Sequence, residues 1–557
     1  MTACIFFHPD GYTTDGRQIK GRHAAGESFL RGFLQDTTGQ DLWIQVDDRR
    51  HRQSFEALAR RWGRPEPIHV VDRSSLADLA GPGLAFHPGP GLGKEAWQRS
   101  LFGHRRWSLC GITHTICSAV AMDAIAELTT APLQPWDALI CTSEAVRAGV
   151  ERLLEGQAAY LRERLGCTRF PLPQLPVIPL GVHGDDFRIE GGERADARRV
   201  LGCGEDTQVV LFLGRLSFHA KAHPLVLYQA LQRAAADVGR DVVLIECGWH
   251  ANAAIRQSYE QAASRVCPDV RVLTLDGGDP LQRRQAWAAA DVFCSLSDNI
   301  QETFGITPLE AMAAGLPVVV SDWDGYRDTV RDGVDGFRIP TVMPPPGMGG
   351  DLAARHALGI DSYDAYCGYS CALVAVEPEA TAEAFRRLFL SQELRRRMGD
   401  AGRERVRQQF DWRVILPRYR QLWDDLAERR QAASEDASKA LPSHPAWPAR
   451  MDPFTAFAAY PSTALSLETP LVLSEADPAS ALNRLEALLS LTMVAYAAPI
   501  LASRQELEGL LRAAARGVSP ARDLVACLPA TRRAVAFRSL LWLLKMDLLR
   551  VSAAAST

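Results

Sequence analysis

The sequence predicts an α/β protein with two doubly wound domains in series and a smaller, mainly helical domain after them. Short apolar runs alternate with segments of helical spacing from residue 1 to about 185, a pattern typical of a parallel sheet covered by helices. The same alternation begins again near residue 209 and continues to about 340. With 557 residues, the chain is also too long for a single hydrophobic core.

The first domain is predicted to span residues 1–185. Strands are expected where short apolar runs lie between turn residues, because that pattern favours extended backbone over helix. A polar segment, "HGDDFRIEGGERADARR", follows Val182 and is predicted to contain the domain boundary. The expected strands lie in "ACIFFHP", "DLWIQVD", "IHVVD", "LAFHPG", "WSLCGITHT", "ALICTS" and "PVIPLGV".

The second domain is predicted to span residues 186–410. It ends in helices after an irregular insert at 341–370, where prolines and glycines favour a loop. Tyr363, Tyr366 and Tyr369 indicate that part of this insert is packed. The expected strands lie in "VVLFLG", "DVVLIECG", "VRVLTLD", "ADVFCSLS", "LPVVVSD" and "GFRIP".

The rest of the chain is predicted to be helical with one linker. A helix over 411–430 is expected to return to the N-terminal domain, and residues 431–450 have the composition of a linker. Residues 451–557 are predicted to form a helical accessory domain. Oligomerisation, acceptor docking and partner binding are all open as its role, because no motif in it selects among them.

Composition and charge exclude several classes of protein. The formal net charge is −4 and the isoelectric point is about 6.4, so nothing predicts nucleic acid as a partner. No apolar stretch approaches the roughly 18 residues that indicate a transmembrane segment. The 12 cysteines are scattered without a CxxC pair, which argues against a zinc site and favours a cytoplasmic location.

Two glutamates mark the expected site. Open parallel sheets bind ligands beyond the carboxyl ends of their strands, and Glu302 follows such a strand in "SDNIQETFGITPLEAMAAGLPVVVSDWDG". Thr307 is predicted to be the N-cap of a helix of about seven residues that Gly315 ends. Thr307 and Glu310 also form a capping-box pattern. A structural role and a ligand-binding role for Glu310 therefore both stay open.

Cations and backbone amides are expected at the same place. Arg215 and Lys221 follow the first strand of the second domain in "FLGRLSFHAKAHP", so they lie at a carboxyl strand end. The backbone amides of residues 304–306 precede a helix, whose N-terminus favours anions. Together these groups predict a diphosphate site, because arginine can bind phosphate oxygens bidentately.

These motifs resemble a known family. The two glutamates separated by seven residues (the EX7E pattern), preceded by "GRLSFHAK", are similar to those of the retaining glycosyltransferases of family 4, the glycosyl transferases group 1, which have the GT-B fold. "ICTSEAVRAGV", "VIPLGV" and "DGVDGFRIP" fit the same pattern. The resemblance covers residues 1 to about 430. It implies two Rossmann-like domains that face a central cleft, with the donor bound by the second.

The resemblance also implies roles for individual residues. Glu302 and His114 would be the catalytic pair beside the donor sugar, and "RHAAGESFLRGF" would be a glycine loop in which Gly26 lets the backbone approach a phosphate. Arg215 and Lys221 would hold the diphosphate, and Glu310 the ribose. The donor-binding residues that the resemblance implies are Gly26, Arg215, Lys221, Phe304, Gly305, Ile306, Thr307 and Glu310.

The activity that the resemblance implies is transfer of a hexose from a nucleoside-diphosphate sugar, with retention and without a metal or other cofactor. A UDP-sugar is the default donor, and the base is expected near residues 274–279. The acceptor is open among glycans, lipid-linked molecules and proteins, and retention by same-face attack or double displacement is open too. A sugar-nucleotide epimerase or hydrolase and a non-catalytic sugar-nucleotide-binding regulator are the alternatives.

One stretch departs from the family pattern. The family usually has a pair of glycines where this chain reads "DWDG", so Asp324 replaces a glycine and Trp323 adds bulk. This change could tune the donor pocket or reach the acceptor. The same letters match the metal-binding DxD pattern of the other large glycosyltransferase fold, but the two-domain layout and the glutamate pair argue against that interpretation.

Overall fold

The computed structural model describes residues 3–13, 21–433 and 444–552. It divides into two compact units, Met1–Pro448 and Ala449–Thr557. Residues 434–443 of the predicted linker lie outside the described residues. In the parts of the chain that are described, no helix combines the length and the apolar character needed to cross a membrane.

The first sheet is parallel, with strand order β3-β2-β1-β4-β5-β6. This order puts the switch point between β1 and β4, as in a doubly wound fold. Its strands are β1 Cys4–Phe6, β2 Leu42–Gln45, β3 Ile68–Val71, β4 Leu84–His87, β5 Ser108–Ile112 and β6 Ala138–Ile140. The accompanying helices are α1 Pro9–Tyr12, α2 Gly21–Asp36, α3 Arg49–Arg61, α4 Gly93–Ser100, α5 Ala119–Glu127 and α6 Glu144–Leu165.

One predicted strand of the first domain is wrong. The run "PVIPLGV" makes only isolated bridges, Val177 to Cys141 and Val182 to Asp411. Pro176 and Pro179 lie within it, and proline has no backbone N–H to give to a ladder. The segment therefore follows the sheet edge without joining it as a regular strand.

The second sheet repeats the topology of the first, with order β12-β11-β10-β7-β8-β9 and parallel pairing. The predicted α/β class with two doubly wound sheets is confirmed. Its strands are β7 Gln208–Leu216, β8 Val242–His250, β9 Arg271–Asp276, β10 Val292–Ser295, β11 Val318–Ser321 and β12 Gly336–Ile339. Its helices are α7 Glu193–Val200, α8 Leu225–Val238, α9 Ala253–Val266, α10 Pro280–Ala289, α11 Ile306–Ala314 and α12 Tyr326–Thr329.

The insert at 341–370 is not irregular, and that prediction is wrong. β13 Thr341–Val342 and β14 Ala375–Val376 pair antiparallel and close it at its base. Between them lie α13 Gly350–Ala357 and α14 Tyr363–Cys371. Ser362 caps α14 by accepting a hydrogen bond from the Ala365 N–H, a local signal that the proline and glycine content of the preceding loop obscured.

Three helices complete the first unit: α15 Pro378–Leu390, α16 Gln392–Arg405 and α17 Trp412–Ala432. The last of these packs on the first domain. The Trp412 ring makes an edge contact with Phe29 at 5.7 Å between ring centroids, and its N–H donates to the Ser28 Oγ at 2.7 Å. Gly181 leaves room for this ring, since a Cβ there would lie 2.5 Å from Trp412 Cδ2. Helix α17, at the end of the first unit, thus completes the hydrophobic core of the first domain.

The second unit has its own hydrophobic core, with Leu471, Leu510 and Leu543 among its fully buried residues. An antiparallel sheet of order β16-β15-β17 joins the predicted helices. Its strands are β15 Pro470–Leu473, β16 Ser519–Pro520 and β17 Leu549–Val551, and its helices are α18 Pro453–Ala456, α19 Pro478–Leu489, α20 Thr492–Ala495, α21 Arg504–Ala514, α22 Ala521–Val525 and α23 Arg533–Lys545.

Gly26 lies inside helix α2 and not on a loop, so the predicted glycine loop at "RHAAGESFLRGF" is wrong. A Cβ at Gly26 would lie 1.8 Å from the carbonyl oxygen of Gly11 in α1. The missing side chain therefore lets α1 and α2 touch backbone to backbone. This packing accounts for the glycine, and the donor-phosphate contact assigned to it stays a prediction.

We expect Gly26→Ala to destabilise the protein by about 1–3 kcal/mol, because the added methyl group overpacks the α1–α2 contact. Gly156→Ala is the matched control, since Gly156 lies exposed in α6 and no atom lies within 4 Å of the place that an added methyl group would occupy. That control should gain up to about 1 kcal/mol from helix propensity. Chemical denaturation of both variants measures the difference, and equal stabilities would contradict the close contact.

Candidate active site

Loops from the two domains meet beyond the carboxyl ends of the two sheets. Ser143, just after β6, donates from its Oγ to the Thr303 carbonyl oxygen in the loop after β10 at 2.8 Å. The Glu144 N–H donates to Asp328 Oδ2, which follows β11, at 2.7 Å. Ligands of doubly wound sheets bind at this end of the strands. The predicted site residues of the second domain lie on these loops or next to them.

Glu302 forms an ion pair with Lys221, and the Lys221 ammonium donates to Glu302 Oε2. Both side chains are largely buried, with 12% of Glu302 and 21% of Lys221 exposed. Burial by itself raises the pKa of Glu302. The Lys221 charge and hydrogen bonds from the N–H groups of Thr303 and Phe304 outweigh it and hold that pKa below its ordinary value. Glu302 is therefore ionised at neutral pH.

Arg215 lies at the end of β7 and is tied to the Glu302 loop. Its Nη2 donates to the Ala220 carbonyl oxygen and to Gln301 Oε1, both at 3.0 Å. The Gln301 amide in turn donates to Ala220. Ser297 Oγ donates to the Lys221 carbonyl oxygen at 3.2 Å. The structure thus brings the two predicted cations and Glu302 together. It adds Gln301, a residue that the sequence analysis did not identify, as the hydrogen-bond partner of Arg215.

Helix α11 begins earlier than predicted. Its N-cap is Gly305, whose φ of +81° few other residues adopt, and Gly315 ends it at φ +82° as expected. A Cβ at Gly305 would lie 1.9 Å from the Tyr326 ring. Phe304 is buried and its amide is engaged with Glu302. Of the three backbone amides predicted to donate to a ligand, only those of Gly305 and Ile306 therefore remain as candidates.

The predicted capping box is wrong. Thr307 lies within the first turn of α11, and among the described residues its buried Oγ1 has no hydrogen-bond partner. The left-handed Gly305 lets the chain enter the helix before Thr307, so the threonine side chain cannot reach back as a cap. The structural role considered for Glu310 is removed with it. A donor contact by Thr307 stays a prediction.

Glu310 lies on α11 near the positive charge of Arg283 in α10. Burial raises the pKa of Glu310 to about 7, and Arg283 acts in the opposite direction. Arg283 also donates from Nη1 to the Gly277 carbonyl oxygen at 2.8 Å. Gly277 belongs to the segment 274–279 where the base was expected. Arg283 is therefore hydrogen-bonded to that segment and also acts on Glu310 through its charge. The sequence analysis did not predict this, because Arg283 and Glu310 are 27 residues apart.

His114 lies half-buried in the turn after β5. The next residues of this turn contact the insert: the Tyr363 hydroxyl is 3.4 Å from both Thr115 Oγ1 and Cys117 Sγ, and Cys117 Sγ is 4.0 Å from Cys367 Sγ. The same helix α14 reaches the second domain, where the Cys371 thiol donates to Asp298 Oδ1 at 2.9 Å. The insert thus connects the His114 turn to the second domain.

The carboxyl end of the first sheet carries histidines that the sequence did not reveal. His87 ends β4, and in the described part of the chain its buried Nε2 has no hydrogen-bond partner. His51 Nδ1 and Glu95 Oε2 are also buried and have no hydrogen-bond partner among the described residues. Burial lowers the pKa of His87, with smaller effects from Glu95, Lys94 and Asp47. The His87 ring stacks on Phe6 with 5.2 Å between the ring centroids, and its Nε2 is left without a partner among the described residues.

Over residues 3–13, 21–433 and 444–552, no group of three or more His, Cys, Asp or Glu side chains is arranged to hold a metal ion.

The family comparison matches residues 207–348 to the family described as glycosyl transferases group 1. This segment contains both cations, both glutamates and the strands that carry them. Residues 207–348 are a glycosyl transferases group 1 domain. The resemblance inferred from the motifs is confirmed for this domain.

Curated relatives are similar to part of the chain. A D-inositol 3-phosphate glycosyltransferase of Geodermatophilus obscurus is 35% identical over 215 residues, 36% of this chain and 45% of that protein. A phosphatidyl-myo-inositol mannosyltransferase of Mycobacterium tuberculosis is 31% identical over 250 residues, 45% of this chain and 54% of that protein. The chain spans about half the length of the curated relatives it matches.

A solved structure shares the fold around the glycosyl transferases group 1 domain. Anabaena Alr3699/HepE, in complex with UDP and glucose, matches 76% of this chain and 100% of its own with a TM-score of 0.50. The two sequences are 15% identical, so the likeness shows the fold alone. With the two parallel sheets, it confirms the predicted GT-B fold.

We expect the stability of the glycosyl transferases group 1 domain to fall between pH 5 and pH 9 through Glu310. The pKa of this buried carboxyl is raised to about 7, so its contribution is present below the ordinary value and is lost as the pH rises through about 7. Glu310→Gln cannot ionise and should lose less in melting temperature over this range.

The matched control is Glu404→Gln, because Arg407 holds the pKa of the exposed Glu404 below its ordinary value. Its melting curves should differ from those of the wild type by the same amount at pH 5 and pH 9. Parallel pH curves for Glu310→Gln and the wild type would show that Glu310 ionises in the ordinary range.

Proposed function

We propose that the chain is a retaining glycosyltransferase that moves a hexose from a nucleoside-diphosphate sugar to a hydroxyl group of an acceptor, without a metal ion. The observation that carries this proposal is the buried Lys221–Glu302 ion pair beside Arg215, inside the glycosyl transferases group 1 domain. A carboxylate for sugar hydroxyls and two cations for phosphates lie on adjoining loops at the end where doubly wound sheets bind ligands.

The charges suit the departure of a diphosphate. The bond between the anomeric carbon and the diphosphate oxygen breaks, and its electron pair stays on the diphosphate. Arg215 and Lys221 supply positive charge, and the amides of Gly305 and Ile306 add the partial charge of a helix N-terminus. Arg215 is already held in place by Ala220 and Gln301, and Lys221 by Glu302, so little reorganisation of the two cations is needed when the charge develops.

Glu302 acts on the sugar. Because Lys221 keeps it ionised, it accepts hydrogen bonds from the hydroxyl groups of the donor sugar. The acceptor hydroxyl attacks the anomeric carbon on the face that the diphosphate leaves, and its proton passes to the leaving phosphate oxygen. We propose this same-face attack instead of double displacement because it requires no carboxylate nucleophile.

The nucleotide is held at the other end of the site. Glu310 binds the ribose hydroxyls, and the base lies against residues 274–279, to which Arg283 is hydrogen-bonded. UDP is the default nucleotide; the complex of Anabaena Alr3699/HepE with UDP and glucose supports this choice for a protein of similar fold. The names of the relatives, an inositol phosphate glycosyltransferase and a phosphatidyl-inositol mannosyltransferase, support a hexose and a hydroxyl acceptor.

A panel of sugar nucleotides tests the donor. UDP-, GDP-, ADP- and dTDP-sugars are added with and without EDTA, and melting temperature is measured. A ligand at 100 times its dissociation constant adds about 2.7 kcal/mol to stability, so one donor should give a clear shift that EDTA does not change. A shift that EDTA abolishes would contradict the metal-free proposal, and no shift with any sugar nucleotide would contradict the donor class.

Glu302→Gln should lower kcat about 100-fold or more, because it removes a charged acceptor that is fixed at the sugar. Glu246→Gln is the matched control: Glu246 is also a buried glutamate of the second sheet, but it accepts a hydrogen bond from the Tyr228 hydroxyl at 2.6 Å, away from the loops of the site. It should keep the wild-type kcat. An undiminished rate in Glu302→Gln would remove Glu302 from the site.

Product analysis of the same reactions separates transfer from the alternatives. Sugar joined to an added acceptor supports the transferase. An isomerised sugar nucleotide, or free sugar released at the same rate with and without acceptors, would indicate an epimerase or hydrolase. Binding of a sugar nucleotide without any turnover would indicate a regulator.

His87 is expected to bind the acceptor in the first domain. His87→Ala should lower transfer to an acceptor about 10-fold or more while the melting shift with the donor stays unchanged, because the buried ring loses a polar contact worth roughly 1–3 kcal/mol. His69→Ala is the matched control, since His69 is an exposed histidine of β3 paired with Asp41. Equal loss of donor binding and transfer in His87→Ala would indicate a general structural defect.

A further inference from the structure

Asp324 has a backbone conformation that costs free energy. It follows β11 and has φ +46°, and in the described parts of the chain Asp547 is the other non-glycine residue with a positive φ. Residues with a side chain rarely adopt this region, although Asp and Asn enter it more readily than most. The family pattern has a glycine at this place, which would avoid the strain. This chain keeps a carboxylic acid there instead.

The turn that carries Asp324 is pressed against the Glu302 loop. A Cβ at the next residue, Gly325, would lie 2.5 Å from Phe304 Cα and 2.9 Å from the Thr303 carbonyl oxygen. The indole N–H of Trp323 donates to the Asn299 carbonyl oxygen at 3.1 Å. The turn and the loop therefore move together, because their backbones leave no room between them.

The first domain touches the same two segments through one residue. Ser143 Oγ donates to the Thr303 carbonyl oxygen at 2.8 Å and lies 3.5 Å from Asp324 Oδ1. Its single proton is used at Thr303, so a protonated Asp324 can act as the donor toward it. Asp328, four residues on, accepts from the Glu144 N–H at 2.7 Å. Ser143 is thus a point where the first domain meets the Glu302 loop.

The other oxygen of Asp324 is unsatisfied. Among the described residues, the buried Oδ2 has no hydrogen-bond partner. The charged or titratable groups that face this carboxyl are Glu302, Asp328 and Tyr326. Burial, and then the negative charge of Glu302, raise the pKa of Asp324 well above its ordinary value. A strained backbone and an unpaired buried oxygen at one residue beside a site are a combination that stability alone does not explain.

We propose that Asp324 is a positioning residue that joins Ser143 of the first domain to the loop of Glu302 and so helps to hold Glu302 in its working position. This inference rests on the proposed function, because it assigns Glu302 its contact with the donor sugar. An uncharged acid suits the place: it can donate toward Ser143 or Glu302, whereas a second carboxylate would repel Glu302. Glycine, the residue of the family pattern, would leave Ser143 without this partner.

Kinetics of Asp324→Gly and Asp324→Asn test the proposal. Asp324→Gly relieves the positive φ, so its melting temperature should be unchanged or higher, yet kcat should fall at least about 10-fold with little change in the donor KM. Asp324→Asn keeps an uncharged hydrogen-bonding group and should recover kcat to within about threefold of the wild type. Asp547→Gly is the matched control, because it relieves the other positive φ and should raise melting temperature alone.

Two kinetic results would overturn the proposal. One is a wild-type kcat in Asp324→Gly. The other is a loss of kcat in the double variant Ser143→Ala/Asp324→Gly that equals the sum, in free energy, of the losses in the two single variants. Residues that contribute to one shared interaction should instead lose less together than that sum.

Melting temperatures provide a test that needs no substrate. As the pH rises from 6 to 9, the wild type should lose stability that Asp324→Asn keeps, because a carboxyl with a raised pKa loses its contribution as the pH rises through that value. Glu302→Gln should reduce this difference. An unchanged difference in the Glu302→Gln background would overturn the link between the two acids. If no sugar nucleotide binds the wild type, the donor proposal fails while this coupling can still be measured.

Discussion

The ion pair between Lys221 and Glu302 decides the charge pattern of the cleft. A buried carboxylate without a partner costs several kcal/mol and normally takes up a proton. Lys221 prevents this at Glu302, and the hydrogen bonds of Arg215 and Gln301 hold the two loops that carry the pair. Among the described residues, Glu310 and Asp324 have no comparable cation, and burial raises the pKa of both. The pKa of Glu302 is therefore lowered, whereas the pKa values of Glu310 and Asp324 are raised.

This difference suits the proposed binding of a nucleoside-diphosphate sugar, because an ionised acid accepts hydrogen bonds, whereas an acid near its neutral form can also donate them. Burial acts on all three acids, but at Glu302 the Lys221 ammonium outweighs it. At Glu310 burial outweighs the opposing charge of Arg283, and at Asp324 the charge of Glu302 adds to burial. Breaking the Lys221 contact would raise the pKa of Glu302 and, through the charge of Glu302, change the pKa of Asp324.

Much of this arrangement could be predicted from the sequence. The two sheets follow from apolar runs of strand length, and Arg215, Lys221 and Glu302 come together because parallel strands present their carboxyl ends at one edge. Local signals were misleading where tertiary contacts decide the backbone. The sequence around Thr307 fits a helix N-cap, but the left-handed Gly305 begins the helix two residues earlier. The sequence around Gly26 resembles a glycine loop, but Gly26 lies where two helices are in contact.

Contacts between segments that are distant in sequence could not be predicted at all. Ser143 and Asp324 are 181 residues apart, and Cys117 and Cys367 are 250 apart. Cys367 of the second pair lies in helix α14 of the insert, outside the matched segment 207–348. A helix that the family model does not cover therefore contacts the turn after β5, next to His114. Differences in substrate among relatives are expected to arise in such segments.

The packing of α17 has a consequence for the order in which the chain folds. Trp412 and Trp423 complete a core whose other aromatic residues, Phe29, Phe33 and Phe86, are synthesised more than 300 residues earlier. Translation from residue 185 to the end of α17 at Ala432 takes about 10–50 s at ordinary rates. During that interval the nascent first domain exposes an aromatic surface, so chaperone binding or a slow pause in synthesis there would matter more than for a domain that closes on itself.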